Sequence, residues 1–510
     1  MIPILYGSQT GTAIYVSNLI ARAIMHGYDA KTIYNLDAFL YSPGQKDACL
    51  VMEMDLLDIE KILDIDLIIF VCSTHGDGAE PFNMTKFWSF LSRDDLPSTI
   101  LSHLSFAVFG LGDSSYEKFN YCSKRLFNRL RMLGARPVIR RGSGDSQDRE
   151  GFLSDFRPWL LELTAYLRTY ISRPCTDFIS TQPKRYVSRL VEKRVLTPDD
   201  HFQKIVEFVF DIPDYKEFFP GDCLSLLPEN YNYREFMSYN GIGDGDLDGV
   251  SSVWMLQNVV DFNSQPHQPF FFALRHFLGQ KNRTEEEILL KIEEIAQDYD
   301  LYHDYVIRAR RTVFEVLKDL RIKVDIGFLK SFVPAMYPRF FSVTKKKGLY
   351  HITVAIVRYT TFLSEPRRGV CSEYLMSLSL NDVIKIGVER SNLYFDSDKL
   401  LFVCTGTGIT LPRACVNEFK DKEIVIFYGF RYKNKDFLYP DEWTGRNVRM
   451  FTAASRDDKV YVQDVFRKSP VEDVDQYLIF VSGNSRLNRE VKKLLEDVYG
   501  KRIVFQSETW

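Results

Sequence analysis

At 510 residues the chain is too long for one hydrophobic core and predicts about three domains. Apolar content of 45%, charged content of 26% and a net charge of −3 describe an ordinary globular protein with no basic field for nucleic acid. The eight cysteines form no CxxC pair and no zinc or secreted-disulfide spacing, so reduced thiols, no metal and a cytoplasmic location are expected.

The acidic excess lies within residues 1–168, which suits a docking face for a basic patch. No apolar run approaches the ~18 residues of a membrane span. Ile2-Pro3-Ile4-Leu5-Tyr6 reads as a core strand rather than a signal peptide, so neither leader nor membrane anchor is expected.

Ile4-Leu5-Tyr6 runs into Gly7-Ser8-Gln9-Thr10-Gly11-Thr12, and a helix follows with Ala13, Val16, Leu19, Ile20, Ala23 and Ile24 on one stripe. A short strand, a loop of small hydroxyl residues and a helix start make an anion site without any lysine. The buried-type strand Asp66–Cys72 leads to Ser73-Thr74-His75-Gly76-Asp77-Gly78. Phe106-Ala107-Val108-Phe109 leads to Gly110-Leu111-Gly112-Asp113-Ser114-Ser115-Tyr116, then Phe119-Asn120. Loops after parallel strands converge at the carboxyl edge of an open sheet. One loop suits a phosphate, and His75 and Tyr116 supply one ring for each face of a flat cofactor.

These loops resemble those of the flavodoxin-like FMN domains of diflavin reductases. Arg140-Arg141-Gly142-Ser143-Gly144-Asp145 resembles the fourth loop of that family, where Asp145 would meet the ribityl chain. The position of His75 is usually aromatic in the family; a His stacks there too, but brings polarity and charge. A last helix closes with Trp159–Leu163. Residues 169–185, with two prolines and little periodicity, read as a hinge linker.

From Arg185 the pattern becomes antiparallel β, with Tyr186–Val191, Lys204–Phe210 and Phe219–Pro228 as strands and turns. Residues 230–336 read as largely helical. One helix start is Thr284-Glu285-Glu286-Glu287, a capping box ahead of Ile288, Leu289, Ile292 and Ile295. The barrel resumes at Tyr337-Pro338-Arg339-Phe340-Phe341-Ser342, ahead of the alternating Leu349–Val354. In that run the Arg can pair with a phosphate, an aromatic can stack on a ring, and the Ser can hydrogen-bond the ring's reactive edge. Gly369-Val370-Cys371-Ser372 reads as a turn opening a helix, a second pyrophosphate cradle. The combination resembles the FAD domain of ferredoxin–NADP reductase-like modules, and 230–336 resembles the connecting insert of diflavin reductases. The resemblance implies that Arg339, Phe340, Phe341 and Ser342 contact FAD and that Gly369, Val370, Cys371 and Ser372 hold its diphosphate.

The buried strand Lys399–Cys404 is followed by Thr405-Gly406-Thr407-Gly408-Ile409-Thr410-Leu411-Pro412 and a helix. Glu423–Arg431 is a second strand ending in Arg431. Ser455, Arg456 and Lys459 place a hydroxyl and two cations in one loop, which suits a 2′-phosphate and favours NADPH over NADH. The resemblance implies an NADPH site built from Gly406, Thr407, Arg431, Ser455, Arg456, Lys459, Tyr461 and Gln463. It also shows departures. Cys404 and Thr405 replace a Gly-Pro, and Leu411-Pro412 replaces a Pro-Phe. Ser482 and Glu508 stand where many members carry a Cys and an Asp that cooperate with a Ser, here Ser342, in hydride transfer. Trp510 would stack on the exposed face of FAD and swing away for the nicotinamide.

The expected architecture is multidomain. A flavodoxin-like, doubly wound parallel α/β domain binds FMN over 1–168, and the hinge occupies 169–185. An antiparallel FAD barrel spans 186–394 with its helical insert at about 230–336, and an α/β NADPH domain spans 395–510. Glu365–Ser372, the Ser482-Gly483-Asn484 run and the ending Phe505–Trp510 most resemble the soluble, NADPH-dependent branch that reduces anamorsin-type iron–sulfur proteins in cytosolic iron–sulfur cluster assembly. A soluble reductase of cytochrome P450 or cytochrome c is the alternative within the family. A flavin-binding docking module without turnover is the alternative outside it.

Overall fold

The computed structural model describes the chain except residues 1, 9–10, 27–48, 75–77, 149, 170–184, 248–249, 282–285, 362, 364–365, 392, 444–447, 501–502, 504 and 510. It forms two compact units, each built from two stretches of chain: Met1–Pro183 with Asn232–Met336, and Lys184–Tyr231 with Tyr337–Trp510.

In the first unit, β1 (Ile2–Gly7), β2 (Cys49–Glu53), β3 (Leu67–Ser73), β4 (Ser105–Gly112) and β5 (Arg136–Pro137) form a parallel sheet in the order β2-β1-β3-β4-β5, and β6 (Gly142–Asp145) also pairs with β4. Its central strands are apolar on both faces because both are covered. Ile4 and Ile69 enter one core with Val16, Leu19, Leu160 and Leu163. Their neighbours Leu5 and Phe70 enter the other with Phe87, Leu126 and Leu130. The strand order reverses beside β1, so the loops after β1 and β3 flank the crevice where such sheets take ligands.

One expectation is corrected here. Arg140–Asp145 is not a loop throughout, since Gly142–Asp145 is a strand in parallel register with Phe109–Gly112. A Cβ at Gly142 would sit 2.2 Å from the Phe109 ring and one at Gly144 2.8 Å from Phe152 Cβ. These glycines therefore serve close packing rather than a turn.

The helical stretch between Asn232 and Met336 belongs to the same unit. It comprises helices such as Tyr233–Asn240, Gln268–Lys281, Glu286–Gln297 and Val313–Asp319, and a two-stranded ribbon of β10 (Asp246–Leu247) with β11 (Val250–Ser251). Phe236 and Phe262 stack at 4.0 Å in its core. It is joined to the sheet domain by Tyr15 stacked on His267 at 4.7 Å and by the Tyr299 hydroxyl, which donates to the Ser146 carbonyl at 3.0 Å. Burial lowers the His267 imidazole to about 4, so it stacks as a neutral ring. A capping box stands at Thr312 and Glu315; the one expected at Thr284 lies outside the described residues.

In the second unit, β7 (Arg185–Val195), β8 (Ile205–Asp211), β9 (Cys223–Leu226), β12 (Arg339–Lys346), β13 (Leu349–Ala355) and, after the short ribbon β14 (Arg358–Tyr359) and β15 (Arg367–Arg368), β16 (Val383–Glu389) close into a barrel of order β12-β13-β8-β7-β16-β9. Alternating residues such as Phe208, Phe210, Leu224 and Ile352 fill it. A parallel sheet follows, of β17 (Lys399–Thr405), β18 (Glu423–Phe430), β19 (Val448–Ala454), β20 (Leu478–Gly483) and β21 (Gln506–Thr509), in the order β19-β18-β17-β20-β21. Among the described residues no helix is long and apolar enough to cross a membrane.

Candidate cofactor sites

At the carboxyl edge of the first sheet, β1 ends at Gly7, where a Cβ would meet Met84 Sδ at 2.9 Å. Ser8 N–H donates to Asn83 Oδ1 at 2.8 Å, and Gly11 N–H donates to Ser8 Oγ at 3.0 Å. Gly11 takes the left-handed φ of 97° that turns the chain into the helix Thr12–His26. Ser73 Oγ donates to the Gly7 carbonyl, and Thr74 N–H donates to the Leu111 carbonyl at 3.0 Å, so the first three loops are tied to one another.

The end of β4 is packed to the limit. A Cβ at Gly110 would lie 2.1 Å from Ser123 Oγ, and one at Gly112 2.9 Å from Asn120 N. Asn120 is fully buried in a left-handed conformation and donates through Nδ2 to Ser143 Oγ and the Gly144 carbonyl, while its own Oδ1 is buried without a hydrogen-bond partner. Asp145 is buried at the end of β6 and accepts from Ser114 N–H and Gln147 N–H. Partial burial would raise the Asp113 carboxyl, but hydrogen bonds from Ser115 and Gln147 hold it below its ordinary value. Tyr116 is 48% exposed, and the half-buried Phe119 carries Lys124 5.5 Å over its ring. Gln9, Thr10, His75 and Gly76 lie outside the described residues. The donor-rich, glycine-tight cradle with no lysine or arginine in its first loop fits the phosphate and ribityl chain of FMN.

In the barrel, Arg339, Phe340, Phe341 and Ser342 pair with Leu226, Ser225, Leu224 and Cys223. Phe341 packs against the barrel core, and strand alternation puts Phe340 and Ser342 on the opposite face. Arg339 donates to the Tyr337 carbonyl. Its charge also acts on the Cys371 thiol, which places the guanidinium near the first turn of the helix Val370–Ser377. Burial pushes that thiol up to about 12, so Cys371 is a packing residue here. Gly369 caps the helix without a side-chain hydrogen bond, which leaves first-turn N–H groups for a ligand. A Cβ there would come 2.7 Å from Val357 Cβ. Ser372 Oγ donates to the Gly369 carbonyl at 3.0 Å and accepts from Val357 N–H at 3.2 Å, so it braces the cradle. A guanidinium beside an open helix start fits a diphosphate.

In the last sheet, Gly406 takes a φ of +54° and opens the Gly406–Ile409 turn before the helix Thr410–Glu418. The Tyr428 hydroxyl donates to the Gly406 carbonyl at 3.1 Å, and Thr410 Oγ1 to the Thr407 carbonyl at 2.8 Å. Thr405 is wedged between Gly429 and Gly483, whose Cβ positions would lie 3.1 Å and 2.8 Å from its side chain. Ser455 Oγ donates to the Phe430 carbonyl, and the Arg431 guanidinium lies 3.7 Å over the Phe202 ring. Arg456 and Lys459 are exposed. Tyr461 is exposed at the start of the helix Val462–Lys468, and Gln463 donates to Glu490. Exposed cations beside a tight glycine turn fit a phosphorylated nucleotide. Ser482 is 1% exposed, in register with Cys404 on one side and Glu508 on the other. Cys404 is fully buried and its thiol is pushed up by burial. The side chain of Glu508 and all of Trp510 lie outside the described residues.

A buried charge network that the sequence reading did not single out joins barrel and nucleotide sheet. Arg413 is paired with Glu207 of β8 and, at 2.7 Å, with Glu442, and it lies 3.6 Å from the Tyr439 ring centroid. His351 Nδ1 stands 3.2 Å from Glu207, and Lys346 is 2.8 Å from Glu442. Thr344 Oγ1, two residues beyond Ser342, donates to the Thr410 carbonyl at 3.3 Å.

Comparison with known proteins agrees with this layout. A flavodoxin family model matches residues 4–159. The NADPH-dependent diflavin oxidoreductase 1 of Schizosaccharomyces pombe is 30% identical, over 98% of this chain and 94% of its own length. The proteins of that name from Xenopus laevis and Danio rerio are 30% and 31% identical, over 99% and 90% of this chain and 99% and 87% of theirs.

Proposed function

The chain belongs to the NADPH-dependent diflavin oxidoreductases, and on that premise we propose that it passes electrons from NADPH through FAD and FMN to an anamorsin-type iron–sulfur protein in cytosolic iron–sulfur cluster assembly. What supports the reading is two separate small-residue turns, at Ser8 and Gly11–Thr12 in one unit and at Gly369–Ser372 in the other, each suited to a phosphate, with a third glycine turn at Gly406.

The flavins supply the hydride-accepting and one-electron chemistry, and the chain binds, orients and shields them. Ser8, Gln9, Thr10, Gly11 and Thr12 hold the FMN phosphate. Ser73, Thr74, Gly76, Leu111 and Asn120 line its edge, Asp145 meets the ribityl chain, and His75 and Tyr116 cover the ring. Arg339 and the Gly369–Ser372 turn hold the FAD diphosphate, Phe340 or Phe341 stacks on its ring, and Trp510 covers the face that the nicotinamide needs. Ser342, Ser482 and Glu508 orient the nicotinamide for transfer. Arg456, Lys459 and Ser455 bind the 2′-phosphate, with Arg431, Tyr461 and Gln463 beside them.

The test is anaerobic. Purified protein should release FAD and FMN in equal amounts, lose its yellow colour on adding NADPH, and then reduce an anamorsin-type protein much faster than a cytochrome P450 or cytochrome c. A preference for the cytochromes would move the acceptor assignment. Flavins that stay oxidised under NADPH would make the chain a docking module.

A further inference from the structure

The second unit carries a groove of about 590 Å³ that no step above uses. Lys345 and Lys346 line it from the end of β12 and Lys347 from the turn into β13, Lys420 and Lys422 from the segment after the helix Thr410–Glu418, and Phe419 forms one wall. Ile424 and Val448, at the start of β18 and β19, also line it. The groove therefore lies at the amino edge of the parallel sheet, about 20 Å of strand away from the carboxyl edge where Gly406 and Ser455 sit.

The charges in it are unbalanced. Lys346 has Glu442, and Lys422 donates to the Phe395 and Ser397 carbonyls with Asp398 at 3.9 Å. Lys345 donates to the neutral Lys216 carbonyl and lies 5.4 Å over the Tyr350 ring, so its ammonium is engaged on the barrel side. Among the described residues no carboxylate lies within ion-pair distance of Lys345, Lys347 or Lys420. Lys347 and Gly348 both take positive φ, 51° and 80°, the mark of a tight hairpin turn, so three of the lysines ride on a fixed element. A concave site lined by one sign of charge concentrates the opposite ion, and its volume is that of a small-molecule site.

We propose that this groove is a second anion site, for a compact polyphosphate such as pyrophosphate or a nucleoside triphosphate. The exposed ammonium groups of Lys347 and Lys420, with Lys346 and Lys422 each near a single carboxylate, supply four positive charges against the ~3–4 negative charges of such a ligand, as point-charge contacts of the kind lysine makes to phosphate. Phe419 offers an apolar wall to a base. Because Lys346 also faces Glu442, a bound polyphosphate competes for the cation that supports the Arg413 network.

The experiment is calorimetric titration of pyrophosphate and ATP into the flavin-replete full chain, with NADP⁺ present in excess to fill the nucleotide site. The expected result is salt-sensitive binding of one equivalent, weakened about tenfold or more by Lys347→Glu with Lys420→Glu and unchanged by Arg456→Ala. Both lysines are exposed, so charge reversal leaves the fold intact, which the flavin spectrum checks. No binding at millimolar ligand, equal binding by the double variant, or retention on phosphatidylserine vesicles without any affinity for soluble polyphosphate would each overturn the assignment.

Discussion

Arg413 and Glu207 meet at 2.6 Å with each side chain only 1% exposed. One comes from the helix after the glycine turn of the nucleotide sheet, the other from a barrel strand. Their contact, with Thr344 on Thr410, fixes the run Arg339–Ser342 relative to the Gly406 turn. On the proposed assignment of these two runs to FAD and NADPH, that contact positions one ring against the other.

Removing one member of such a pair leaves a buried charge uncompensated. Arg413→Met should destabilise the second unit by about 3–5 kcal/mol. Arg413→Lys, which keeps the charge but loses the two-carboxylate fork, should recover part of that loss. Urea unfolding followed by FAD release measures both.

The same network sets an acid limit. Burial alone would raise the Glu442 carboxyl, but Arg413 and Lys346 hold it down at about 2, from an ordinary 4.5. Glu207 is likewise lowered: burial opposes this, and His351 and Arg413 outweigh it. A carboxyl depressed by folding contributes stability above its unfolded value and loses it as pH falls towards the folded one. The urea midpoint of the second unit should be insensitive to this network from pH 7 down to about 5 and should fall from about 4.5 towards 2. Glu442→Gln should flatten that fall, and a midpoint series across this range shows whether it does.

Gly110 has no space for a methyl group, since Ser123 Oγ stands 2.1 Å from the Cβ position and Asn120 Oδ1 2.6 Å. Gly110→Ala should shift the end of β4 and the loop Asp113–Asn120 at a cost of about 1–3 kcal/mol. FMN retention should drop while FAD stays. The FMN-to-FAD ratio of extracted flavin, expected near one in the parent, is the measurement.

Ser482 is buried at the level of Cys404 and Glu508 in adjacent strands. On the role proposed for Ser482, Ser482→Cys should supply a polarizable group for hydride transfer and raise the single-turnover rate of flavin bleaching by NADPH about tenfold, or ~1.4 kcal/mol. Cys404→Ser, on the neighbouring strand at a residue given no part in the transfer, should leave that rate unchanged. Stopped-flow spectroscopy separates the two.

Arg456 is exposed in the loop after β19. Arg456→Ala should raise KM for NADPH by about tenfold or more, as a charge-assisted hydrogen bond to phosphate is worth ~1.5–3 kcal/mol. KM for NADH should change little. Steady-state kinetics with both donors decides.

What could be read from the residues had local signals. The parallel strands announced themselves as apolar runs ending in glycine and hydroxyl loops, and the barrel strands by period-two alternation. The Arg339–Ser342 run and the Gly369 turn fall on a strand and a helix start because both carry their own pattern. The Arg413 network does not: its partners lie 206 and 29 residues away, and no spacing rule links such charges. Gly142 and Gly144 misled for a related reason. Glycine usually marks a turn, but here Gly142 answers Phe109 on the neighbouring strand and Gly144 answers Phe152 ahead of the helix Leu153–Thr169. Asn83, which accepts from Ser8 across 75 residues, had no signal at all.

The interleaving of the two units has a consequence for synthesis on the ribosome. Of the barrel's strand pairings, only β7 with β8 joins segments made before Asn232. β9 waits for β12 and β16, both encoded beyond Met336. The nascent chain must therefore carry an open sheet edge through the whole translation of the helical stretch, and barrel closure is a late, non-local event that exposes apolar strands to aggregation. Slowing elongation between the two halves of the barrel lengthens that exposure, so codon choice in this stretch bears on the yield of soluble protein.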